Sequence, residues 1–198
     1  MKPEHFVDSV QTRFSFGRIT IRPFCAEDAV GLHSAALEST NELSDWMVWF
    51  RPDYSIEHSR AFLNKSAADW KRGERYTFAI VDSVEGTFLG SVGLFLVSKE
   101  HRFANIGYWV RTGKSGHGIG SAATLLAAIF GFNVLGLNRI EFVVPPGNRA
   151  SLRVAEKVGA KREGSLRRRI MLGGKAQDAV LYSLIVEDLA SESVRPPS

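Results

Sequence analysis

Apolar residues recur at two different spacings along the first third of the chain, and these spacings predict where it forms strands and helices. Polar and apolar residues alternate over 18–24, which predicts a first strand that ends near Pro23. Apolar residues at helical spacing predict helices over 26–37 and 55–72. The aromatic-rich segment 41–50 lies between those helices and is typical either of a core or of the wall of a binding site.

The middle of the chain predicts an antiparallel sheet that leads into a helix. Runs of β-prone residues at 76–81, 87–97 and 103–110 predict three consecutive strands, and Glu85-Gly86 supplies the turn of the first hairpin. Helix formers dominate 118–132, so a short segment rich in glycine joins the third strand to a helix.

The last third of the chain predicts one more helix between strands. Residues 138–144 form a predicted strand that two prolines stop, and Asn148 is placed to cap a helix over 150–158. Two further strands are predicted at about 161–171 and 176–187, joined by a pair of glycines.

No repeat or linker interrupts this pattern, which predicts a single domain over residues 13–189 with loose tails at 1–12 and 190–198. With 198 residues, 44% of them apolar and 23% charged, the chain has the composition of one globular domain. Residues 118–137 carry no charge over a length that could span a bilayer. Their four glycines favour a helix buried in the core instead, so we expect no membrane partner.

Charge and cysteine content narrow the class of protein further. A net charge of +4 suits an anionic ligand without requiring a nucleic acid. The one cysteine, Cys25, excludes an internal disulfide and fits a reducing compartment, so we expect a cytoplasmic protein. The five histidines show no metal-binding spacing, and we expect no metal site. The sequence leaves open whether the protein is a monomer or a homodimer.

The segment between the third sheet strand and its helix has the composition of an anion-binding loop. Gly113, Gly116, Gly118 and Gly120 place four glycines within eight residues. A strand, a glycine-rich turn and a helix direct successive backbone N–H groups, and the positive end of the helix, at one point. A phosphate or pyrophosphate is the expected occupant.

Three kinds of nucleotide-binding loop are possible interpretations of this segment. A P-loop ending in Gly113-Lys114-Ser115 is excluded, because Tyr108 stands where its first glycine is required. A Rossmann fingerprint at Gly118 needs an acidic residue at the end of the next strand, whereas Glu141 lies near the start of that strand. The third is a loop that holds the pyrophosphate of coenzyme A. An ordinary tight turn is the alternative that needs no ligand.

The residues on either side of the loop decide between these alternatives. Asn105–Val110 precedes Gly116–Gly120, and three further blocks follow at Leu137–Glu141, Asn148–Arg153 and Glu156–Ala160. In this order, together with the predicted order of strands and helices, they resemble the GNAT acetyltransferase superfamily over about residues 13–189.

Within the superfamily, Asn148 with Ser151 and the tripeptide 162–164 are similar to the Rim-type ribosomal-protein N-terminal acetyltransferases. The resemblance implies an α+β fold with a mixed, mostly antiparallel central sheet, flanked by helices on both faces and splayed at an acetyl-CoA cleft. It also implies acetyl-CoA as the co-substrate. The positions that would bind acetyl-CoA are Trp109, Val110, Ser115, Gly116, His117, Gly118, Ile119, Gly120, Ser121, Asn148 and Ser151.

The chain departs from the family pattern at positions that carry chemistry. Ala155 replaces a tyrosine proposed to protonate the departing thiolate, which leaves Ser151 as the candidate catalytic acid. Asn105 replaces a glutamate; it cannot act as a base and is a candidate hydrogen-bonding group of the catalytic site. Ser115 stands where Arg or Gln is usual, and Ala160 where an aromatic residue is usual. These departures keep open a coenzyme-A-binding module that has lost catalysis.

The pKa values of the possible acceptor amines help to decide between them. An α-amino group titrates near 8 and a lysine near 10.4, a gap of ~2.5 units that costs lysine about 3.4 kcal/mol more at neutral pH. Because Asn105 cannot act as a base, we predict a protein or peptide N-terminus as the acceptor. A small amine, such as an antibiotic, polyamine or amino acid, is the alternative. A base that acts through water, from Glu42 or His101, also stays open.

The residues predicted to bind the acceptor are Glu42, Trp46, Trp49 and Tyr108. Arg167-Arg168-Arg169 fits a site for an acidic protein, RNA or the 3′-phosphate of the coenzyme, and it fits a strand edge protected by charge equally well. A nucleic-acid-binding domain built on these arginines ranks last among the functions considered.

Overall fold

One eight-stranded sheet forms the centre of the computed structural model, which describes residues 11–51 and 53–189. Its strands are β1 (Phe14–Phe16), β2 (Ile19–Pro23), β3 (Arg75–Asp82), β4 (Phe88–Ser98), β5 (Phe103–Val110), β6 (Arg139–Val144), β7 (Lys161–Leu172) and β8 (Lys175–Leu184). The strands lie in the order β1-β2-β3-β4-β5-β6-β8-β7.

Helices connect these strands on both faces of the sheet. They are α1 (Asp28–Glu38), α2 (Thr40–Trp46), α3 (Ile56–Arg72), α4 (Ile119–Asn133), α5 (Arg149–Lys157) and α6 (Val186–Leu189), with a single 3₁₀ turn at Thr112–Lys114. Ser55 and His58 form a capping box at the start of α3, and Gly73 ends the helix in the left-handed conformation.

Side-chain alternation along β3 shows how the two faces divide. Phe78 and Ile80 are fully buried in the main core, together with residues of α4 such as Phe130. Ala79 and Val81 point the other way and pack in a second cluster with residues of α1 and α3, such as Leu32. The predicted α+β fold, a mostly antiparallel sheet with helices on both faces, is confirmed.

Only one pair of neighbouring strands in the sheet, β5 and β6, is parallel. It spans three residue pairs, from Phe103 opposite Arg139 to Asn105 opposite Glu141. Beyond Asn105, β5 continues to pair with β4 and β6 continues to pair with β8. The two strands therefore separate, and the sheet is splayed at its centre.

Three short elements differ from the prediction. Strand β1 lies within the sheet and pairs with β2 through a turn in which Gly17 has a positive φ of 54°. The aromatic-rich segment contains α2, a third helix before β3. The last strand stops at Leu184, because the chain turns there into α6, where Asp188 accepts a hydrogen bond from the amide of Ile185. Elements of three, seven and four residues are too short for periodicity to identify.

Strand β7 forms one edge of the sheet and pairs only with β8. Its register is interrupted between Leu166 and Ile170, where Arg168 has a positive φ of 50°. The amide of Arg168 donates to the carboxylate of Asp178 at 2.8 Å instead of joining the ladder. The arginine cluster therefore lies on a bulge of an edge strand.

The predicted loose tails fall almost wholly outside the described residues, at 1–10 and 190–198. Within the part of the chain that is described, no helix combines the length and apolar character needed to cross a membrane. The uncharged segment that begins at Gly118 forms α4 and is buried against the sheet.

Candidate active site

The separation of β5 from β6 leaves one side of β5 without a ladder partner after Asn105. The amide of Arg111 donates to the carbonyl of Leu89 at 2.9 Å, so it points towards β4. Since backbone N–H groups alternate in direction along a strand, those of Tyr108 and Val110 point into the splay. An extended ligand laid along β5 would find these groups available for hydrogen bonds.

The glycine-rich segment continues from β5 directly into α4. Gly118 precedes the first residue of the helix and has a positive φ of 77°, a conformation in which glycine is favoured. The amides of residues 116–121 donate to no acceptor within the described part of the chain, whereas Ala122 begins the helical pattern by donating to Gly118. Six consecutive amides at the positive end of a fifteen-residue helix form a cradle that fits a pyrophosphate.

The beginning of this segment is held by the junction of α1 and α2. The Glu38 carboxylate accepts from the amide of Gly113 at 2.7 Å and pairs with the Arg111 guanidinium, which lowers the pKa of that carboxyl. The hydroxyl of Ser39 accepts from the amide of Thr112 at 3.0 Å. These contacts use the amides before the cradle and leave those of the cradle free.

Glu42 belongs to the same junction. Its carboxylate accepts a hydrogen bond from the Thr112 hydroxyl at 2.9 Å, so Glu42 lies against the loop and does not line the cavity described below. His101, the other candidate for a base acting through water, lies in the turn between β4 and β5, at the opposite end of β5 from the loop. Ser115 and His117 are exposed within the loop.

Helix α5 faces the loop across the splay. Asn148 caps it through its side-chain oxygen, which accepts from the amide of Ser151 at 3.0 Å, as predicted for the cap. The Tyr108 hydroxyl donates to the carbonyl of Ser151 at 3.2 Å, and burial raises the pKa of Tyr108 to about 12. Tyr108 therefore stays protonated at neutral pH and joins β5 to α5.

The side-chain oxygens of Ser151 and Asn105 form no hydrogen bond with other described residues. The Ser151 hydroxyl makes no hydrogen bond to another described residue, although its backbone does. The side-chain oxygen of Asn105 is buried and has no partner in the described part of the chain. Asn105 occupies the last paired position of β5, where the splay begins, and Ser151 lies on the first turn of α5.

A cavity of about 730 Å³ lies on the other side of the sheet, between α3 and the strands β3, β4 and β5. Its floor is hollow because Gly93 and Gly107 are directly paired across β4 and β5. A side chain at Gly107 would come within 2.9 Å of the Phe95 ring. The paired glycines therefore leave room for a ligand between Phe95 and Trp109.

Aromatic residues at the end of α2 and in the segment after it form one wall of this cavity. Trp46 and Trp49 both line it, and the Trp49 ring lies 6.2 Å from that of Trp109. The tip of the Trp46 ring lies 3.4 Å from the point where a side chain on Gly147 would begin. Trp46 thus reaches from the cavity to the loop that precedes α5. Trp109 and Tyr108 also line the cavity, so both sides of the site meet at the end of β5.

Several cavity residues were not predicted from the sequence. Tyr54 is stacked between His33 and His58, and its hydroxyl accepts from Ser59 at 3.0 Å. His58 and Thr77 also line the cavity. The density of aromatic residues at 41–50 is the one sequence pattern that indicates this wall of the cavity. The position of Thr77 opposite this segment depends on how α3 packs on the sheet, which the sequence pattern does not specify.

Comparison with known proteins gives a consistent result. The profile of the acetyltransferase (GNAT) domain matches residues 18–161. YdaF of Bacillus subtilis strain 168, named a candidate ribosomal N-acetyltransferase, is 28% identical over 180 residues, which cover 88% of this chain and 94% of YdaF. Spermidine N(1)-acetyltransferase of Escherichia coli K12 is 25% identical over 180 residues, 90% of this chain and 91% of that enzyme.

A solved structure supports the same assignment. RimJ of Mycobacterium smegmatis, in complex with CoA-disulfide, matches with a TM-score of 0.80 at 26% identity. The match covers 89% of this chain and 86% of the RimJ chain.

Proposed function

Since the chain belongs to the GNAT family of acetyltransferases, and is therefore an N-acetyltransferase that uses acetyl-CoA, we propose that its acceptor is the α-amino group of a protein or peptide N-terminus. A single domain over residues 13–189 would carry the activity, in the cytoplasm and as a monomer or homodimer. The observation that carries the proposal is the shape and chemistry of the cavity beside Trp109.

The donor side of the site has residues that fit acetyl-CoA. Acetyl-CoA supplies an activated acetyl group as a thioester. The amides of Gly116 through Ser121 would hold its pyrophosphate, because they are free and lie at the start of α4. The amides of Tyr108 and Val110 would pair with its extended arm in the splay, as an added strand would. Asn148 would set the position of α5 beside it.

Three groups of this chain would take part in the transfer. The amide of Val110 would donate to the oxygen that gains negative charge during transfer. The Ser151 hydroxyl, which other residues leave free, would pass its proton to the departing thiolate and take up the proton that the acceptor nitrogen loses. The buried side-chain oxygen of Asn105 would accept a hydrogen bond from the acceptor. Asn105 orients the acceptor and takes no proton from it.

The cavity favours a peptide with a free α-amino group over a lysine side chain. None of its lining residues in the described part of the chain carries a carboxylate that could deprotonate a lysine. The α-amino group avoids about 3.4 kcal/mol of deprotonation cost. A volume of about 730 Å³ also exceeds what one amino group needs, and it leaves room for the first residues of a peptide.

A small amine is the second candidate, since spermidine N(1)-acetyltransferase is a relative of similar coverage. An acceptor screen with detection of free thiol separates the two. We expect turnover with peptides that have a free N-terminus and none when the same peptides are N-terminally blocked but keep an internal lysine. Turnover of spermidine or free amino acids, with inert peptides, would replace the proposal with the second candidate. Binding of acetyl-CoA without any turnover would indicate a non-catalytic binding module.

A further inference from the structure

The charged side chains that line the acceptor cavity all have the same sign. Arg51, Lys65 and Arg75 line it, and no carboxylate of the described residues does. Charge of one sign on the walls of a cleft attracts ligands of the opposite sign. The cavity is therefore poorly suited to a polycation and well suited to an acceptor that carries negative charge.

The cation on α3 belongs to a group with no net charge. Lys65 pairs with the buried carboxylate of Asp69 at 3.0 Å. Arg72 pairs with the same carboxylate and, at 2.9 Å, with that of Glu74. Two cations and two carboxylates balance, so the positive charge left for a ligand lies on the other two cations of the cavity.

Arg75 is held in place without a carboxylate partner. It stands at the start of β3, directly opposite Phe95 on β4, and its guanidinium lies 4.4 Å from the centre of the Phe95 ring. A cation over an aromatic face keeps its full charge for another ligand. Within the described residues, neither Arg75 nor Arg51 forms an ion pair, so both are available to an incoming anion.

A buried hydroxyl gives a second and independent indication of a ligand. Thr77 lines the cavity and is only 5% exposed, yet its hydroxyl has no hydrogen-bond partner among the described residues. A buried hydroxyl without a hydrogen-bond partner destabilises the fold unless a ligand supplies the missing hydrogen bond. Thr77 lies on β3 two residues after Arg75, so both side chains are on the same face of the sheet.

We propose that this cavity selects acceptors with a carboxylate close to the reacting amine, and specifically peptides with an acidic side chain at the second or third position. Arg75 binds the carboxylate, and the Thr77 hydroxyl donates to it or to the adjoining peptide carbonyl. Arg51 adds to the positive field. The inference rests on the proposed function, because it assigns a sequence preference to the same peptide acceptor.

The test compares three peptides with the protein at low ionic strength: Ser-Glu-Glu-Ala-Trp, Ser-Gln-Gln-Ala-Trp and Ser-Lys-Lys-Ala-Trp. We expect kcat/KM to fall in that order, with about tenfold between the first and the last. Arg75→Gln should remove most of the difference between the Glu and Gln peptides, and Arg75→Glu should reverse the order so that the Lys peptide is preferred. Arg75→Lys should restore the original order in part.

Arg60→Gln is the matched control, since Arg60 lies on the same helix as Lys65, pairs with Glu57 and does not line the cavity. It should leave the order of the three peptides unchanged. Affinity for coenzyme A, measured by calorimetry, should be the same for every variant, which shows that each one is folded.

Two outcomes separate this inference from the proposed function. Equal kcat/KM for the three peptides, or the same order in Arg75→Glu as in the wild type, would overturn the charge preference and leave peptide acetylation intact. If no peptide is acetylated but free glutamate or aspartate is, the peptide acceptor is wrong while the preference for a nearby carboxylate stands.

Discussion

Backbone conformation at single residues controls the donor side of the site, and Gly118 is the clearest case. Its φ of 77° is one that β-branched residues strongly disfavour. We expect Gly118→Val to weaken coenzyme A binding at least about 100-fold, because the amides after it can no longer converge on one anion. Isothermal calorimetry would measure this. Gly136→Val is the control, since Gly136 has a similar φ of 63° and open space around it, but lies after α4. Unchanged affinity in Gly118→Val would refute the loop assignment.

The Ser151 hydroxyl gives the second prediction at this scale. Ser151→Ala should lower kcat about 100-fold with less than about twofold change in affinity for coenzyme A, since the backbone of Ser151 makes the contacts that hold α5. Single-turnover kinetics would measure it. Tyr108→Phe is the companion variant, because Tyr108 carries the other hydroxyl at this point. A wild-type rate in Ser151→Ala and a slow Tyr108→Phe would move the proton donor to Tyr108.

The single residues that could be predicted from sequence are those whose role is local. Asn148 caps the helix that follows it, and Gly118 takes the backbone conformation that its own loop requires. Arg75 and Thr77 could not be found this way, because their place in the cavity depends on α3 and on β4. Glu42 was predicted near the acceptor but contacts Thr112, a partner 70 positions away.

At the scale of strands, one ion pair joins β6 to β7 across β8. Arg139 on β6 pairs with Glu163 on β7 at 2.5 Å, and Ser183 on β8 donates to the same carboxylate at 2.6 Å. The Arg139 guanidinium, followed by the Ser183 hydroxyl, lowers the pKa of Glu163 to about 2. A carboxyl with a lowered pKa stabilises the fold above its usual pKa of 4.5, and this stability is lost as pH falls towards 2.

We therefore expect Glu163→Gln to cost about 1 kcal/mol at pH 7, a value kept small because the carboxylate is 39% exposed to water. The difference from wild type should shrink as the pH falls from about 5 to about 2. Urea unfolding at several pH values would measure it. In an Arg139→Gln background most of the effect of Glu163→Gln should vanish, and a difference that stays constant with pH would contradict the assignment.

Close approach of β4 and β5 gives another prediction at this scale. A side chain on Gly90 would lie 2.2 Å from the backbone oxygen of Trp109. Gly90→Ala should thus lower the free energy of unfolding by about 2–4 kcal/mol, and it should also shift Trp109. Gly86→Ala is the control, because Gly86 has a positive φ of 69° in the same hairpin but nothing within 4 Å. If urea unfolding shows equal losses of unfolding free energy in the two variants, the backbone strain at positive φ is responsible and the close approach to Trp109 is not.

Helices with clear capping residues at their ends could be predicted from the sequence, and elements of only a few residues could not. Helix α3 begins at its capping box and ends at Gly73, as the sequence indicates. Strand β1 has three residues and is held by pairing with β2, so its own pattern carries too little information. The parallel pairing of β5 with β6 also involves residues 36 positions apart, which no local pattern specifies.

Across the whole molecule, the proposed donor side in the splay and the proposed acceptor cavity meet at the end of β5. Cys25, the chain's one cysteine, lies before α1. The loop contacts Glu38 at the other end of this helix, and the length of the helix separates the two ends by about 16 Å. We therefore expect direct transfer in a ternary complex. Initial rates at varied acetyl-CoA and peptide should give intersecting double-reciprocal lines, also in Cys25→Ser. Parallel lines would indicate an acetylated enzyme intermediate instead.

The order of the longer elements, the fold and the acetyl donor could all be predicted at this scale, because the glycine-rich loop and the blocks around it lie close together in the chain. The cavity could not, since its floor comes from β3, β4 and β5 and its roof from α3. Its positive charge could not be predicted either, because Arg51 and Arg75 lie far apart in the chain and line the same cavity only in the fold.

The bulge at Arg168 has a consequence for how molecules of this protein behave together. A straight outer strand offers its unpaired backbone as a template on which a neighbouring chain can add, and growth of that kind ends in insoluble fibres. Here the outermost strand turns one amide inward to Asp178 and lines the interruption with three arginines, so a second molecule would meet a broken register and repelling charge. The sheet can therefore be open at its centre for a ligand while its β7 edge resists the addition of a strand from a second copy.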